Sequence, residues 1–336
     1  MNRVCAVPIV PPDPTDIARR IALTTAVRDT DAIPKVPEAG EVKRVGDRSV
    51  QVMHNGLLID EACYGGPFMT EIIRDLKGHH EPQEELVFHR ILERIAQTRG
   101  DAPPAMVELG AYWSYYAMWF QHALPGATTI MVEPDPYNLE VGRRNFALNE
   151  LEGTFLKAAV GATNGERMWI TCESDGRARQ VPTVTLDGLI ADHGLERIDL
   201  VLCDTQGAEL HVLAAARDAL RERRIRFLVL STHHQVFSGD ALTHQRCLAF
   251  LRDEGAHIIA EHSIAESCSG DGLIAASMDP ADEGFAVDVS HVRARDSLFG
   301  EPEYEVDRAR GWRGPVRRYG GRVVVRARTR MRRAHG

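Results

Sequence analysis

The chain has 336 residues, 44% of them hydrophobic and 26% charged. These are ordinary proportions for a globular protein, with room for one large α/β domain and extensions or for two small domains. No apolar run approaches the roughly 18 residues a membrane-spanning helix needs. The proline-broken start MNRVCAVPIVPPDPTD makes a poor signal peptide, so a cytoplasmic protein is expected. The net charge of −8 divides unevenly: residues 308–336 hold eleven arginines and no acid, which leaves 29 basic against 48 acidic residues elsewhere. An acidic body with a basic tail argues against a specific nucleic-acid binder. The tail could instead dock on an anionic surface or on another subunit, which leaves a homo-oligomer open. Six scattered cysteines without a C-x-x-C pair read as reduced, mostly buried thiols.

Residues 1–45 are proline-rich and polar, with one short helical candidate around 15–26, and read as a mobile arm or a strap on the surface. Residues 46–104 form a cap layer. In it, Asn55-Gly56 between apolar runs signals a hairpin. After His79-His80-Glu81-Pro82, QEELVFHRILERIAQ has the apolar spacing of a helix with one buried face. The His-His-Glu-Pro segment is either a lid or a plain helix start.

The main domain is expected over 105–280. MVELGAYWSYYAMWFQHALPGATTIMVEP (106–134) reads as strand, glycine turn, helix and strand, the first half of a nucleotide-binding α/β unit. Gly110 permits a sharp turn and a close approach to a ligand. Glu133, closing the second strand beside Pro134, stands where a ribose-binding carboxylate belongs. Beyond it, strands alternate with helices of 10–15 residues: a helix at 136–150, strands at 154–162 and 168–171, a strand and short helix across 181–194, and a buried strand at 198–204. A helix at 208–223, a strand at 225–232, a helix at 242–255 and strands at 256–264 and 271–278 follow. This pattern predicts a mostly parallel, doubly wound sheet. The last two strands are only six residues apart, too close for a parallel crossover, so they should pair antiparallel. Residues 281–336 are a C-terminal extension ending in the arginine-rich tail, an edge strand or a solvated segment.

Over roughly 80–278 the residues resemble the FkbM-type family of SAM-dependent methyltransferases. The pieces are HEP before a helix, VELGA, VEPDPYNLEVGRRNFALN, the AAVG strand end, TVTLDGL and IDLVLCDTQGAEL, in that order and spacing. The resemblance implies a Rossmann-like class I methyltransferase fold. It also implies S-adenosyl-L-methionine (SAM) as methyl donor and a hydroxyl of a sugar, glycoside or polyketide-like small metabolite as acceptor. Two positions depart from the family: Ser114 where a glycine is usual, and Gln206 where an acid is usual.

On that basis Glu108, Gly110, Ala111, Ser114, Glu133 and Pro134 are expected to contact the cofactor, with Ala159 and Val160 flanking the adenine. Glu108 would polarise the turn or reach the cofactor's ammonium group, and Ser114 would present its N–H while narrowing the approach of the methionine moiety. Asp204, at the end of a buried strand, is a candidate for substrate positioning, general base or metal ligand, or else an N-cap for the next helix. His233 and His234 follow the next strand, and one of them is the candidate base for the acceptor hydroxyl. A divalent metal held by Asp204 with either histidine is the less favoured arrangement, because Gln206 removes a charge there. A nicotinamide-dependent oxidoreductase lacks its G-x-G-x-x-G here. A non-catalytic SAM-binding scaffold is the remaining alternative.

Overall fold

The structure, a computed structural model, describes residues 14–292. The arginine-rich tail lies outside the described residues. An N-terminal layer holds α1 (Pro14–Thr25), a meander of β1 (Val42–Val45), β2 (Arg48–Val52) and β3 (Leu58–Asp60), then α2 (Pro67–Asp75) and α3 (Pro82–Thr98). Asn55 and Gly56 lie in the β2–β3 turn, as the sequence predicts. The stretch read as an arm or strap packs closely. Ile21, Val27 and Ile33 are buried, and the Thr24 hydroxyl donates to the Cys268 carbonyl at 3.2 Å.

The main domain follows as β4 (Ala105–Leu109), α4 (Tyr115–Ala123), β5 (Thr128–Val132), α5 (Pro136–Leu148), β6 (Thr154–Leu156), β7 (Ala159–Val160), β8 (Arg167–Thr171), β9 (Ala178–Val184), α6 (Leu186–Asp192) and β10 (Ile198–Cys203). It continues with α7 (Glu209–Ala215), α8 (Arg217–Arg221), β11 (Ile225–Thr232), α9 (Gln235–Ser238), α10 (Thr243–Asp253), β12 (His257–His262) and β13 (Gly272–Ser277). Seven strands form one sheet in the order β12-β13-β11-β10-β4-β5-β6. β11, β10, β4, β5 and β6 are parallel, whereas β13 runs antiparallel to both β11 and β12. This is the mostly parallel, doubly wound sheet that the sequence predicts. The expected terminal hairpin is present, with its second strand inserted between β12 and β11. One face is covered by α3, α4 and the N-terminal layer, the other by α6, α7, α8 and α10.

β4 and β10 are buried at every position, which is why their sequences are nearly unbroken apolar runs. Chain direction reverses across the sheet between them, since β4 leads outward to β5 and β6 while β10 leads the other way to β11. In open α/β sheets such a switch point opens a crevice at the carboxyl ends of the strands. β7, β8 and β9 form a separate small sheet whose β8–β9 hairpin hangs over that rim. No described helix is long and apolar enough to cross a membrane.

Candidate functional site

The crevice begins at the turn after β4. The Gly110 and Ala111 amides both donate to the Val132 carbonyl, at 2.9 and 3.1 Å. A Cβ on Gly110 (φ +78°) would lie 1.7 Å from the Asp204 carbonyl oxygen. The glycine is therefore demanded by the chain leaving β10, not by a ligand. Ser114 has φ 59° and its amide donates to Ala111 O at 2.5 Å. Its buried hydroxyl has no hydrogen-bond partner and presses on Gly142 of α5. The expectation that Ser114 presents its N–H to a cofactor is thus corrected: the turn consumes it. Glu108 also turns inward. It is 3% exposed and accepts from the Ala117 amide at 3.3 Å, capping α4 where Ser114 does not. Burial holds its carboxyl well above the usual range, and its Oε2 faces the start of α4.

Glu133 fits its expected place better. It is buried at the end of β5, and its two oxygens accept from the Tyr112 amide (3.1 Å) and the Asp135 amide (2.8 Å). Burial outweighs these bonds and raises its pKa to about 7. Each carboxylate oxygen keeps a second lone pair, so two further hydroxyl donors can be accepted. Pro134 is half-buried beside it. Asp135 caps α5 and also accepts from Ser174, through the amide and the hydroxyl, both at 2.9 Å. The tip of the β8–β9 hairpin is fastened to the rim in this way. Ala159 and Val160 follow β6. They form β7, pairing with Thr183 and Val184 of β9, with Ala159 buried and Val160 packed on the core.

The other half of the crevice is built on β10 and β11. Asp204 is about one-third exposed, and its Oδ1 stands 3.0 Å from Nε2 of the fully buried His233. The contact is ionic and not aligned as a hydrogen bond. Nδ1 of His233 meets Glu209 Oε1 at 2.9 Å, and Asp271 approaches Nε2 at 3.7 Å. Burial alone would lower this imidazole, but Asp271, Asp204 and Glu209 outweigh it and hold the ring well above its ordinary value. These carboxylates favour the imidazolium form, which weighs against His233 as the neutral base expected at that position. His234 is held differently. The strand has ended, both rings are buried, and His234 Nδ1 accepts from Val236 N at 3.2 Å to cap α9. Burial depresses it to about 4. Asp204 caps no helix, since α7 opens at Ala208 without a side-chain cap. Gln206 is exposed in a left-handed conformation.

Glu209 was not singled out by sequence reasoning, although it closes the Asp204–Glu209 segment. It has no exposed surface and accepts from the amides of Thr205 and Gly207 as well as from His233. Burial would raise its carboxyl, but His233 and these amides hold it lowered and ionised. Asp271 and Glu84 were missed too, and Glu81 was read only as part of the His-His-Glu-Pro segment. Together with Gln83, Ser231 and Gly272 they line a small pocket between the start of α3, the end of β11 and the start of β13. The Ser231 hydroxyl donates to Glu84. Burial, then neighbouring carboxylates, pushes Glu81 well up. Their signal in the sequence is only an acid beside a strand end or helix start, which any solvated surface also supplies. His79 and His80 are buried on Glu85 and form no loose lid. His54, His79 and Glu85 bring ligand-type atoms within 4.8 Å of one another. However, the two imidazole rings stack 17° from parallel at 4.2 Å, so their in-plane lone pairs do not converge on one ion.

Residues 95–258 match the family model described as the methyltransferase FkbM domain. That match covers just under half of the chain. The chain is 25% identical over 175 residues to the 2-O-methyltransferase NoeI of Sinorhizobium fredii (strain NBRC 101917 / NGR234), covering 44% of this chain and 70% of that protein. Among solved structures, a human methyltransferase 10 domain containing protein is similar at 15% identity and TM-score 0.42, covering 80% of this chain and all of that one. The N-terminal domain of human METTL16, in complex with SAH, is similar at 16% identity and TM-score 0.39, covering 80% and 95%. The FkbM match spans β4 through β11, and so contains Glu133, Asp204, Glu209 and His233.

Proposed function

We propose that this FkbM domain transfers a methyl group from SAM to a hydroxyl of a small metabolite. The observation that carries the reading is the Asp204–His233–Glu209 arrangement on the same strand-end rim as Glu133. SAM supplies an electrophilic methyl on a sulfonium. Glu133 would hold its ribose, accepting the two hydroxyl protons on the lone pairs that Tyr112 and Asp135 leave open.

The acceptor reading assigns the base to Asp204 in place of either histidine. Its carboxylate is partly exposed, and an acceptor hydroxyl can reach it and give up its proton to an Oδ atom as the oxygen attacks. His233, held as a cation, fixes the Asp204 carboxylate and disperses its charge. Glu209 fixes the ring of His233 from behind. Glu81, Glu84 and Asp271 offer acceptor atoms to further hydroxyls, which suits a polyhydroxylated metabolite. Most of the rate gain expected from such a site is alignment of oxygen and methyl, ~7–11 kcal/mol, with ~10²–10⁴-fold from the base. The test is formation of S-adenosylhomocysteine with candidate sugar and polyketide-like acceptors. Wild type should turn over with at least one of them, while turnover unchanged in Asp204→Asn would refute the assigned base.

A further inference from the structure

We propose that His244 of α10 is a positioning residue for the methyl transfer: it ties the end of β11 to the start of β13 and so keeps Asp271 beside His233. Its part in the reaction rests on the reading given under Proposed function.

α10 turns His244, Cys247 and Leu251 into the protein, the spacing of a helix with one buried face. The His244 ring bonds in two directions. Nδ1 lies 2.7 Å from the Thr232 hydroxyl, and Nε2 lies 2.9 Å from Glu261 Oε1 on β12. The bond from His244 holds the Glu261 carboxyl below its usual range, so the carboxylate only accepts and Nε2 carries a proton. In the neutral ring, Nδ1 then accepts from Thr232. The same hydroxyl lies 3.1 Å from the carbonyl of Gly272, its partner in the β11–β13 pairing. A Cβ on Gly272 would stand 2.5 Å from Thr232 Oγ1 and 2.6 Å from His244 Nδ1, so only glycine lets the three meet.

Threonine, histidine and carboxylate in this order have the form of a nucleophile relay. Thr232 has no exposed surface, however, and no substrate can reach it. What the trio does is fix two strand ends. His233 comes directly after Thr232, and Asp271 directly before Gly272.

Carboxylates act on His233 from four places. Asp204 follows β10, Glu209 opens α7, Asp271 precedes β13, and Glu173 sits at the tip of the β8–β9 hairpin. Two of them are held within their own segments. The Asp204 amide donates to Leu109 O at 2.9 Å, and Glu209 accepts from the amides of Thr205 and Gly207. Asp271 takes its place from the start of β13, where His244 acts. Its Oδ1 stands 3.7 Å from His233 Nε2, and attraction at that range weakens as the strand ends part.

The test is imidazole ¹H–¹⁵N spectra of the full chain across pH, without cofactor or acceptor. The His233 signal is assigned by its own substitution. Asp271→Asn should lower the His233 midpoint by ~1 unit or more, and His244→Leu and Thr232→Val by at least ~0.5 unit. His244→Leu added to Asp271→Asn should lower it no further, because the carboxylate it places is already gone. Thermal melting reports folding, and Thr232→Val, which keeps the side chain's shape, carries the test if His244→Leu does not fold. Midpoints within ~0.2 unit of wild type in the folded single variants, with melting lowered, would make His244 purely structural and overturn the proposal. A full further shift in the double variant would overturn it as well. In turnover, Thr232→Val and His244→Leu should lower kcat ~10–10²-fold, as for a misplaced group, with SAM affinity kept within about twofold. An unchanged kcat overturns the positioning role. If wild type transfers no methyl group, the reading under Proposed function fails, and the hold of His244 on Asp271 is judged on the spectra alone.

Discussion

Asp204 Oδ1 stands 3.0 Å from Nε2 of His233, whose Nδ1 is bound to Glu209 at 2.9 Å. A carboxylate on each side favours the imidazolium, and in the proposed reaction the base is Asp204, the partly exposed member of the three. Replacing Asp204 by Asn should lower kcat ~10²–10⁴-fold while leaving SAM affinity within about threefold, since Glu133 is untouched. Single-turnover kinetics beside calorimetry separates the two effects.

Glu209 makes its own prediction through pH. His233 is raised above its ordinary value, so its charge persists to higher pH than a free imidazole's and is lost as pH rises through the raised pKa. Activity that needs the cation should fall along that alkaline limb. Glu209→Gln removes one of the carboxylates raising the ring, so the limb should move to lower pH. A pH–rate profile of the variant with an unmoved limb would show that His233 is not held this way.

Glu133 is raised to about 7 by burial, so it is partly protonated in the free protein near neutrality. Two ribose hydroxyls would favour its ionised form. SAM affinity should therefore weaken as pH falls below about 7 and level off above about 8, with a proton released on binding. Calorimetry in buffers of different ionisation enthalpy measures that proton directly.

How much of this was legible in the sequence depends on what each residue answers to. The strand order and the antiparallel end follow from connection lengths, and Glu133 follows from the spacing of one α/β unit, so both were readable. The surroundings of Gly110, Ser114 and Glu108 were not, because Gly110 meets the chain leaving β10 and the other two are used up by the turn and by α4. The turn's amides are consumed by Val132 and Ala111, and Glu108 folds under α4. His233 and His234 look alike in sequence. Only the carboxylates brought by α7 and by the start of β13 tell them apart.

The Gly110 contact is a stability prediction. A Cβ 1.7 Å from Asp204 O cannot be accommodated, and the backbone is left-handed there. Gly110→Ala should destabilise the protein by at least ~2 kcal/mol and displace Asp204. Urea unfolding with activity measured on the folded fraction would register both losses together.

Asp282 tests the far side of the fold. It is buried between Arg226 (2.9 Å) and Arg94 (2.8 Å), with Ser277 donating at 2.8 Å. Burial would raise it, but these partners outweigh burial and hold it lowered. Its contribution is present above the ordinary carboxylate pKa and is lost as pH falls through the depressed value. Asp282→Asn should cost ~3–5 kcal/mol, as for a broken buried pair, with thermal melting at pH 7 as the readout.

The measurement bearing most directly on the central claim is calorimetric titration of the full chain with SAM and, separately, with NAD, in wild type and Glu133→Gln. The account predicts one-to-one binding of SAM, weakened tenfold or more by the substitution, and no saturable heat with NAD. Saturable binding of NAD without SAM, or SAM binding indifferent to Glu133, would contradict it.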